Sequence, residues 1–388
     1  MHVCWATKLR GFLKHISEFA DDVQFIQTVQ YYEISSKFST LKSNLIRSRF
    51  FDILGLYQTV SISGKKCDAY ASYNRFLNAD RPYFIYLENP TALYHYALGR
   101  IKTPMGKKRF KKSIEDPNLK YIVCMSEACR STFEKVNMLL PANLKMKTIY
   151  PLVPQNKYIT EEVIRKKSYS DVLECLYCAQ GKRFVTKGGE DVIEAVIRLQ
   201  DKGCKIHLTV ITNIETLGED MLNLIDGRAD ITLKDFVLTY EEMEQMYART
   251  AVLIHPSSDD SFGLTVLEAI KGGCAVLGSN LYGIPEMVEQ KQNGILIEPK
   301  YRIFNLDNMP NPASWGYKKK VKLSQKRSDK YINDIERTLL LMYEDRDMLY
   351  DFSNHSLKIA NTKFGEQTIC DQWTEVWDSL KGSNQHET

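Results

Sequence analysis

The sequence predicts an α/β protein of two domains, each with a parallel sheet at its centre. Three observations carry this. The 388 residues are long for one core and comfortable for two, since domains usually fall near ~100–200 residues. Short apolar runs alternate with longer amphipathic ones, the pattern of parallel strands joined by helical crossovers. Apolar residues make up 44% and charged residues 26%, which excludes a disordered or fibrous chain. No stretch approaches the ~18 consecutive apolar residues of a membrane span.

In the first half the clearest strands are "YFIYL" (Tyr83 to Leu87) and "YIVCM" (Tyr121 to Met125). A helix follows the second, "SEACRSTFEKVNMLL", with Ser126 as its cap and Glu127 in its first turn, where an acid suits the helix dipole. "KTIYPLVPQN" carries Pro151 and Pro154 and marks the boundary, giving domains at residues 1–154 and 155–363. In the second half "VLECLYCA" reads as a strand, "GGEDVIEAVIRLQDKG" as a helix and "KIHLTVIT" as a strand. "TYEEMEQMYART" then reads as a helix capped by Thr239, and "AVLIHPS" as a strand. Between Asn305 and Asp329 no clear period emerges. Two helices close the chain, "YINDIERTLLLMYEDRDMLYDF" and "EQTICDQWTEVWDSL".

Charge is unevenly distributed. Residues 1–150 hold 23 Lys+Arg against 12 Asp+Glu, or +11, and the remainder holds 29 against 36, or −7. The two halves should therefore meet different partners. The densest run is "KTPMGKKRFKK", Lys102 to Lys112. It reads either as a solvated loop or as a contact with an anionic membrane surface or phosphorylated acceptor. Nucleic acid is disfavoured, for no aromatic-interleaved binding motif accompanies the run. The nine scattered cysteines suit a reducing compartment and buried apolar roles. Cys175 and Cys178 have CxxC spacing but no partner set, so they read as part of a buried strand. No metal site is expected: the DxD at Asp345 to Asp347 lies on a helix, where residues two apart point to different faces. The N-terminus shows no signal-like segment, which suggests a cytoplasmic protein.

The chemistry concentrates in "HPSSDDSFGLTVLEAIKGGCAVLGSNLYGIPEMV", His255 to Val288. After a strand the chain breaks at "SSDDSFG", and a helix beginning near Gly263 or Leu264 stops at Gly272-Gly273. A strand "CAVLGS" follows, then a loop and a helix with Pro285 in its first turn, then the strand "ILIEP" after the turn at Asn293-Gly294. The unpaired amides of a helix start make an anion site, and Gly263 lets a ligand approach the backbone. Asp260 and Glu268 bracket that start, ~10 Å apart at ~1.5 Å rise per residue. This spacing suits two acceptors gripping hydroxyls at opposite ends of a long ligand, with a diphosphate over the amides between. Upstream, "AQGKRFVTKGG" carries Lys182, Arg183 and Lys187 in a loop that should face the same rim, at the carboxyl ends of the strands. The alternative for these cations is a solvated basic loop.

These two motifs, "HPSSDDSFGLTVLEAIKGGCAVLGSNLYGIPEMV" and "GKRFVTKGGEDVIEAV", closely resemble the donor site of retaining family 4 glycosyltransferases of the GT-B fold. The likeness is strong over Asp171 to Pro299 and nearly absent before Pro82. It implies two Rossmann-like domains facing a central cleft, the first taking the acceptor and the second the donor, with the C-terminal helix (about 364–380) crossing back to the first. Asp260 would then hold sugar hydroxyls, where the family more usually has Glu. The amides of Phe262, Gly263 and Leu264, with Thr265 beyond, would meet the sugar or diphosphate. Glu268 would bind ribose hydroxyls and Lys187 the phosphates, while Lys182 or Arg183 stands where the family has arginine. In the first domain Gly11, in "ATKLRGF", would approach the donor phosphate. Glu88 is the first candidate, and His95 the second, for the histidine many members carry near the sugar.

The resemblance thus implies transfer, with retention, of a hexose or N-acetylhexosamine from a UDP- or GDP-linked sugar. The acceptor would be a glycan or lipid-linked saccharide, as in surface polysaccharide or lipopolysaccharide assembly, with the protein peripheral on the inner face of a membrane. No cofactor beyond the nucleotide-sugar substrate is implied. Other readings are a nucleotide-sugar epimerase or phosphorylase on the same fold, a non-catalytic sugar-nucleotide sensor, or a nucleic-acid glucosyltransferase.

Overall fold

The computed structural model describes residues 1–9, 11–19, 23–27, 48–136, 140–142 and 144–382. The chain separates into two compact units, one of Met1–Leu152 with the segment from Glu366 onward, the other of Val153–Gly365. Each is built on a six-stranded sheet whose neighbours all pair in parallel. Both are Rossmann-like.

In the first unit the strands are β1 (His2–Trp5), β2 (Gln24–Gln27), β3 (Val60–Ile62), β4 (Ala69–Tyr73), β5 (Leu77–Ala79), β6 (Tyr83–Leu87), β7 (Leu119–Cys124) and β8 (Lys145–Thr148). The main sheet runs β2-β1-β4-β6-β7-β8, and β3 pairs with β5 apart from it. All five residues of β6 are buried, as expected of a central parallel strand covered on both faces. Helices α1 (Gly11–Phe19), α2 (Arg49–Ile53), α3 (Pro104–Ile114) and α4 (Glu127–Val136) accompany it. The helix read over 126–140 thus ends at Val136, and residues 137–139 lie outside the described residues. The C-terminal helix, Glu366–Gly382, belongs to this unit. Its Trp373 and Trp377 stack at 4.8 Å, one turn apart on the helix, and both rings meet Phe84 of β6 at 5.5 Å.

The second unit begins with α5 (Glu161–Ser168) and holds β9 (Leu173–Cys178), α6 (Gly189–Asp201), β10 (Ile206–Thr212), α7 (Glu219–Ile225) and β11 (Ile231–Asp235). These are followed by α8 (Tyr240–Arg249), β12 (Val252–His255), α9 (Leu264–Lys271), β13 (Ala275–Ser279) and β14 (Gly294–Ile297). Helices α10 (Tyr317–Ser324), α11 (Asp329–Glu344) and α12 (Arg346–Asn361) complete it. The order β11-β10-β9-β12-β13-β14 starts in the middle, runs to one edge, then returns to the other side of β9. The chain direction therefore reverses between β9 and β12. Loops leaving those two strands diverge and open a crevice at their carboxyl ends, where ligands of such sheets bind.

Two local expectations differ from the structure. The helix expected from Pro285 is a single 3₁₀ turn, Ile284–Glu286. The Asn293 side chain closes it, accepting from the Glu289 amide at 2.7 Å and donating to the Met287 carbonyl at 3.0 Å. The long helix read through "YEDRDML" is two helices, broken where Asp345 caps α12 by accepting from the Met348 amide at 2.8 Å. Its neighbour Asp347 accepts from the Tyr169 hydroxyl at 2.7 Å. Cys175 and Cys178 are buried in β9.

Candidate active site

The loops at the reversal point bring the two motifs of the second unit together. After β9, a 3₁₀ turn at Gly181–Arg183 leaves Lys182 and Arg183 exposed and leads to Lys187, half-buried before α6. After β12, the chain turns through Pro256 to Phe262 and enters α9 at Gly263. Gly263 sits at φ +87°, and a Cβ there would lie 3.4 Å from Val266 Cγ2 and 3.5 Å from Ile284 Cγ1. Glycine is required by the backbone, not by chance. Phe262 is buried at 2% exposure, so it anchors the corner.

Lys187 Nζ lies 2.8 Å from Asp260 Oδ2, and His255 Nε2 lies 2.8 Å from the same oxygen. Both lysine and aspartate are mostly shielded, at 13% and 12% exposure. Burial works against an ionised Asp260, but the Lys187 ammonium and the His255 hydrogen bond win and hold its carboxyl well below the usual carboxylate range. A cation and an anion are thus presented together beside the helix start. Asp259 is held as well, by Lys320 and by the Thr186 hydroxyl, which donates at 3.2 Å.

One turn into α9, Glu268 accepts from the Tyr247 hydroxyl at 2.8 Å. Burial pushes its carboxyl up to about 7, against the lowering effect of that hydrogen bond. Glu268, Leu264 and Thr265 form one wall of a cavity of about 370 Å³, within the ~300–1,000 Å³ of ligand pockets, whose other walls include Ile211, Phe236, Leu238 and Tyr240. Phe236 and Tyr240 are 40% and 45% exposed, so two aromatic faces border it. A smaller cavity of about 60 Å³, lined by Asn156 and Lys271 among others, touches Glu268 and Tyr247 from another side. The site is therefore ordered along α9: a cation–carboxylate pair at its start, a titratable carboxylate and an apolar cavity one turn on. It can take an anion at one end and a polar–aromatic group at the other.

The candidates in the first unit lie apart in that unit's own fold. Gly11 begins α1, is exposed, and a Cβ there meets nothing within 4 Å. Glu88 follows β6 and accepts from the Tyr73 hydroxyl at 2.9 Å and from Asn74 Nδ2 at 3.5 Å. His95 is buried at 6% exposure with a left-handed backbone, φ 59°, and its Nε2 accepts the Gln58 amide at 2.8 Å. That ring braces a turn.

His255, Tyr247, Thr186 and Lys320 escaped sequence reasoning. Only His255 left a trace, standing at the end of a strand that leads into the acidic turn.

The fold is that of the GT-B glycosyltransferases. HepE of Anabaena, crystallised with UDP-glucose, superposes with a TM-score of 0.58 at 15% identity, over 98% of this chain and 100% of that one. WaaG, a glycosyltransferase involved in lipopolysaccharide biosynthesis, superposes with a TM-score of 0.57 at 13% identity, over 97% and 98%. Residues 174–303 match the family described as glycosyl transferases group 1. An uncharacterised glycosyltransferase of Methanocaldococcus jannaschii is 25% identical over 137 residues, 35% of this chain and 33% of that protein. N-acetyl-alpha-D-glucosaminyl L-malate synthase of Bacillus anthracis is 24% identical over 176 residues, 43% and 44% respectively. The chain thus spans less than half the length of either curated relative.

Proposed function

We propose that this protein is a retaining glycosyltransferase that moves a hexose or N-acetylhexosamine from a nucleotide-diphosphate sugar to a saccharide or lipid-linked saccharide. The observation that carries this is the order of groups along α9, with Lys187 and Asp260 at its start and Glu268 beside an aromatic-edged cavity. A nucleotide sugar has the matching order: sugar, diphosphate, ribose, base. The base enters the cavity, the ribose hydroxyls donate to Glu268, the diphosphate lies over the amides of Leu264 and Thr265, and the sugar hydroxyls donate to Asp260. UDP is favoured over GDP as the carrier, because HepE was crystallised with UDP-glucose and the pneumococcal transferase GtfA with UDP and GlcNAc.

Breaking the sugar–phosphate bond builds negative charge on the leaving diphosphate and positive charge on the sugar. Lys187, assisted by Lys182 or Arg183, stabilises the first; groups already in place need no reorganisation as the charge develops. Asp260 faces the second. The leaving phosphate oxygen accepts the acceptor's proton on the face it departs from, so configuration is retained. The first unit takes the acceptor; within it the Glu88 carboxylate accepts from the Tyr73 hydroxyl and from Asn74 Nδ2 and is the candidate polar contact for the substrate.

The reading is tested by screening UDP-, GDP- and ADP-sugars for hydrolysis and thermal stabilisation. A cognate donor at a hundred times its Kd should add about 2.7 kcal/mol to unfolding. Absence of both effects across the panel would overturn it.

The acceptor's setting is proposed to be a membrane. Helix α3 and the turn before it expose Lys102, Lys107, Lys108, Arg109, Lys111 and Lys112. Met105 on the same helix is 46% exposed. Each cation near an anionic bilayer contributes about 1 kcal/mol. Vesicles containing phosphatidylglycerol should pellet the protein at low salt and release it at high salt. Unchanged pelleting after neutralising Lys107, Lys108, Lys111 and Lys112 would refute this.

A further inference from the structure

Each residue from Pro256 to Asp260, in the corner between β12 and α9, is tied down. The Pro256 carbonyl accepts from the Tyr331 hydroxyl, and the Ser257 carbonyl accepts from Ser279 Oγ at 2.6 Å. Ser258 Oγ accepts the Tyr301 amide at 3.3 Å. Asp259 and Asp260 then face Thr186 and Lys187 as two adjacent rungs, Thr186 to Asp259 at 3.2 Å and Lys187 to Asp260 at 2.8 Å. Each rung has an outer brace, His255 for Asp260 and Lys320 for Asp259.

Lys320 differs from the other braces in origin. It comes from α10, beyond residue 303 where the family match ends. It is no loose surface lysine. Its side chain is 17% exposed, and its Nζ lies 5.5 Å from the centre of the Trp315 ring. The end of α10 is fixed too, because Lys300 Nζ donates to the Ser324 carbonyl at 2.7 Å while pairing with buried Asp191 at 2.9 Å.

We propose that Lys320 is a positioning residue for the donor site, neutralising Asp259 so that Lys187 remains committed to Asp260 and to the diphosphate. The proposal rests on the donor-site reading above. Two adjacent carboxylates here share two lysines, one each. Without Lys320, Asp259 becomes a second anion within reach of the Lys187 loop, to which Thr186 already links it. It would draw Lys187 away and leave an unpaired negative charge beside the amides that receive the diphosphate. Partly buried charges so close are weakly screened, and an unpaired one is costly. The segment outside the family match thus shapes the site without touching the ligand.

The test combines amide hydrogen exchange with UDP titration on the full chain, comparing Lys320→Ala, Lys320→Arg and the double variant Asp259→Asn/Lys320→Ala. Lys320→Ala should speed exchange over residues 184–189 and 257–264 together, leaving β10 and α12 unchanged. It should also weaken UDP binding about tenfold, a 1.4 kcal/mol change. Lys320→Arg should restore both. The double variant, with both charges gone, should bind UDP more tightly than Lys320→Ala alone, since coupled groups are non-additive. Unaltered exchange over 184–189 in Lys320→Ala would overturn the proposal, as would a double variant weaker than the single one. A wild-type protein binding neither UDP nor GDP would sink the donor reading instead, while the exchange data would still decide the role of Lys320.

Discussion

Lys187→Ala is expected to lower turnover of the cognate donor by about 10²–10³-fold, the range seen when one preorganised stabiliser of developing charge is removed. The Lys187 ammonium is already aimed at the corner, 2.8 Å from Asp260 Oδ2, so in the proposed reaction it would meet the leaving diphosphate without being reordered. The same substitution should cost stability, about 1–3 kcal/mol, because a mostly buried carboxylate loses its ion pair. Unfolding is not expected, since His255 still engages Asp260 at 2.8 Å. The sign with pH follows from linkage. A carboxyl held below its unfolded value, as Asp260 is, contributes stability that is present at neutral pH and lost as acid protonates it. Wild type should therefore lose stability on acidification below about pH 4, and Lys187→Ala should lose less over the same interval. Steady-state kinetics and urea melts at pH 3 to 7 check both parts. Full turnover in the folded variant would remove Lys187 from the site.

The GT-B architecture was legible because its signals are local. "YFIYL" and "LECLYC" are short, mostly apolar runs of strand length, and all their residues but Glu174 are buried in β6 and β9. The acidic corner was legible for the same reason, with a strand, a glycine and a helix lying within the 20 residues from Val252 to Lys271. Its meeting with Lys187 followed from topology, as loops at the carboxyl ends of neighbouring parallel strands share a rim. What stayed hidden is held by distant partners. Lys320 meets Asp259 across 61 residues, and Tyr247 meets Glu268 across 21. Neither carries a pattern that distinguishes it from any surface lysine or core tyrosine. Helix α10 was unreadable because only Ser324 on it is fully buried, so its sequence shows no apolar period. Strands β1 and β4 were missed because "HVCW" is only four residues long and "AYASY" is five residues of mostly small or polar side chains. Ala69, Ala71 and Ser72 of β4 owe their burial to a place inside the sheet, between β1 and β6, rather than to bulk.

Glu268→Gln is expected to weaken donor binding by about 10–100-fold at pH 8 and much less at pH 6. This loss matches a charge-assisted hydrogen bond of ~1.5–3 kcal/mol. The pH dependence has a structural cause. Burial raises the Glu268 carboxyl to about 7, so the ligand-free protein holds a mixture of charged and neutral forms near neutrality. Only the carboxylate accepts two ribose hydroxyls, so wild-type affinity should climb from pH 6 to 8 while the Gln variant stays flat. Binding near pH 6.5 should release protons, which calorimetry in buffers of different ionisation enthalpy would detect. Stability moves in the opposite sense. A carboxyl whose folded value exceeds its unfolded one destabilises the fold as pH rises through about 7, so Glu268→Gln should stabilise the ligand-free protein at pH 8 by about 1 kcal/mol. Tyr247→Phe supplies the internal control. The tyrosine hydroxyl, 2.8 Å from Glu268 Oε2, favours the charged form, and its loss should push the affinity–pH curve to higher pH. A wild-type affinity independent of pH between 6 and 8 would mean that Glu268 does not meet the ribose, and the order of groups along α9 would have to be read anew.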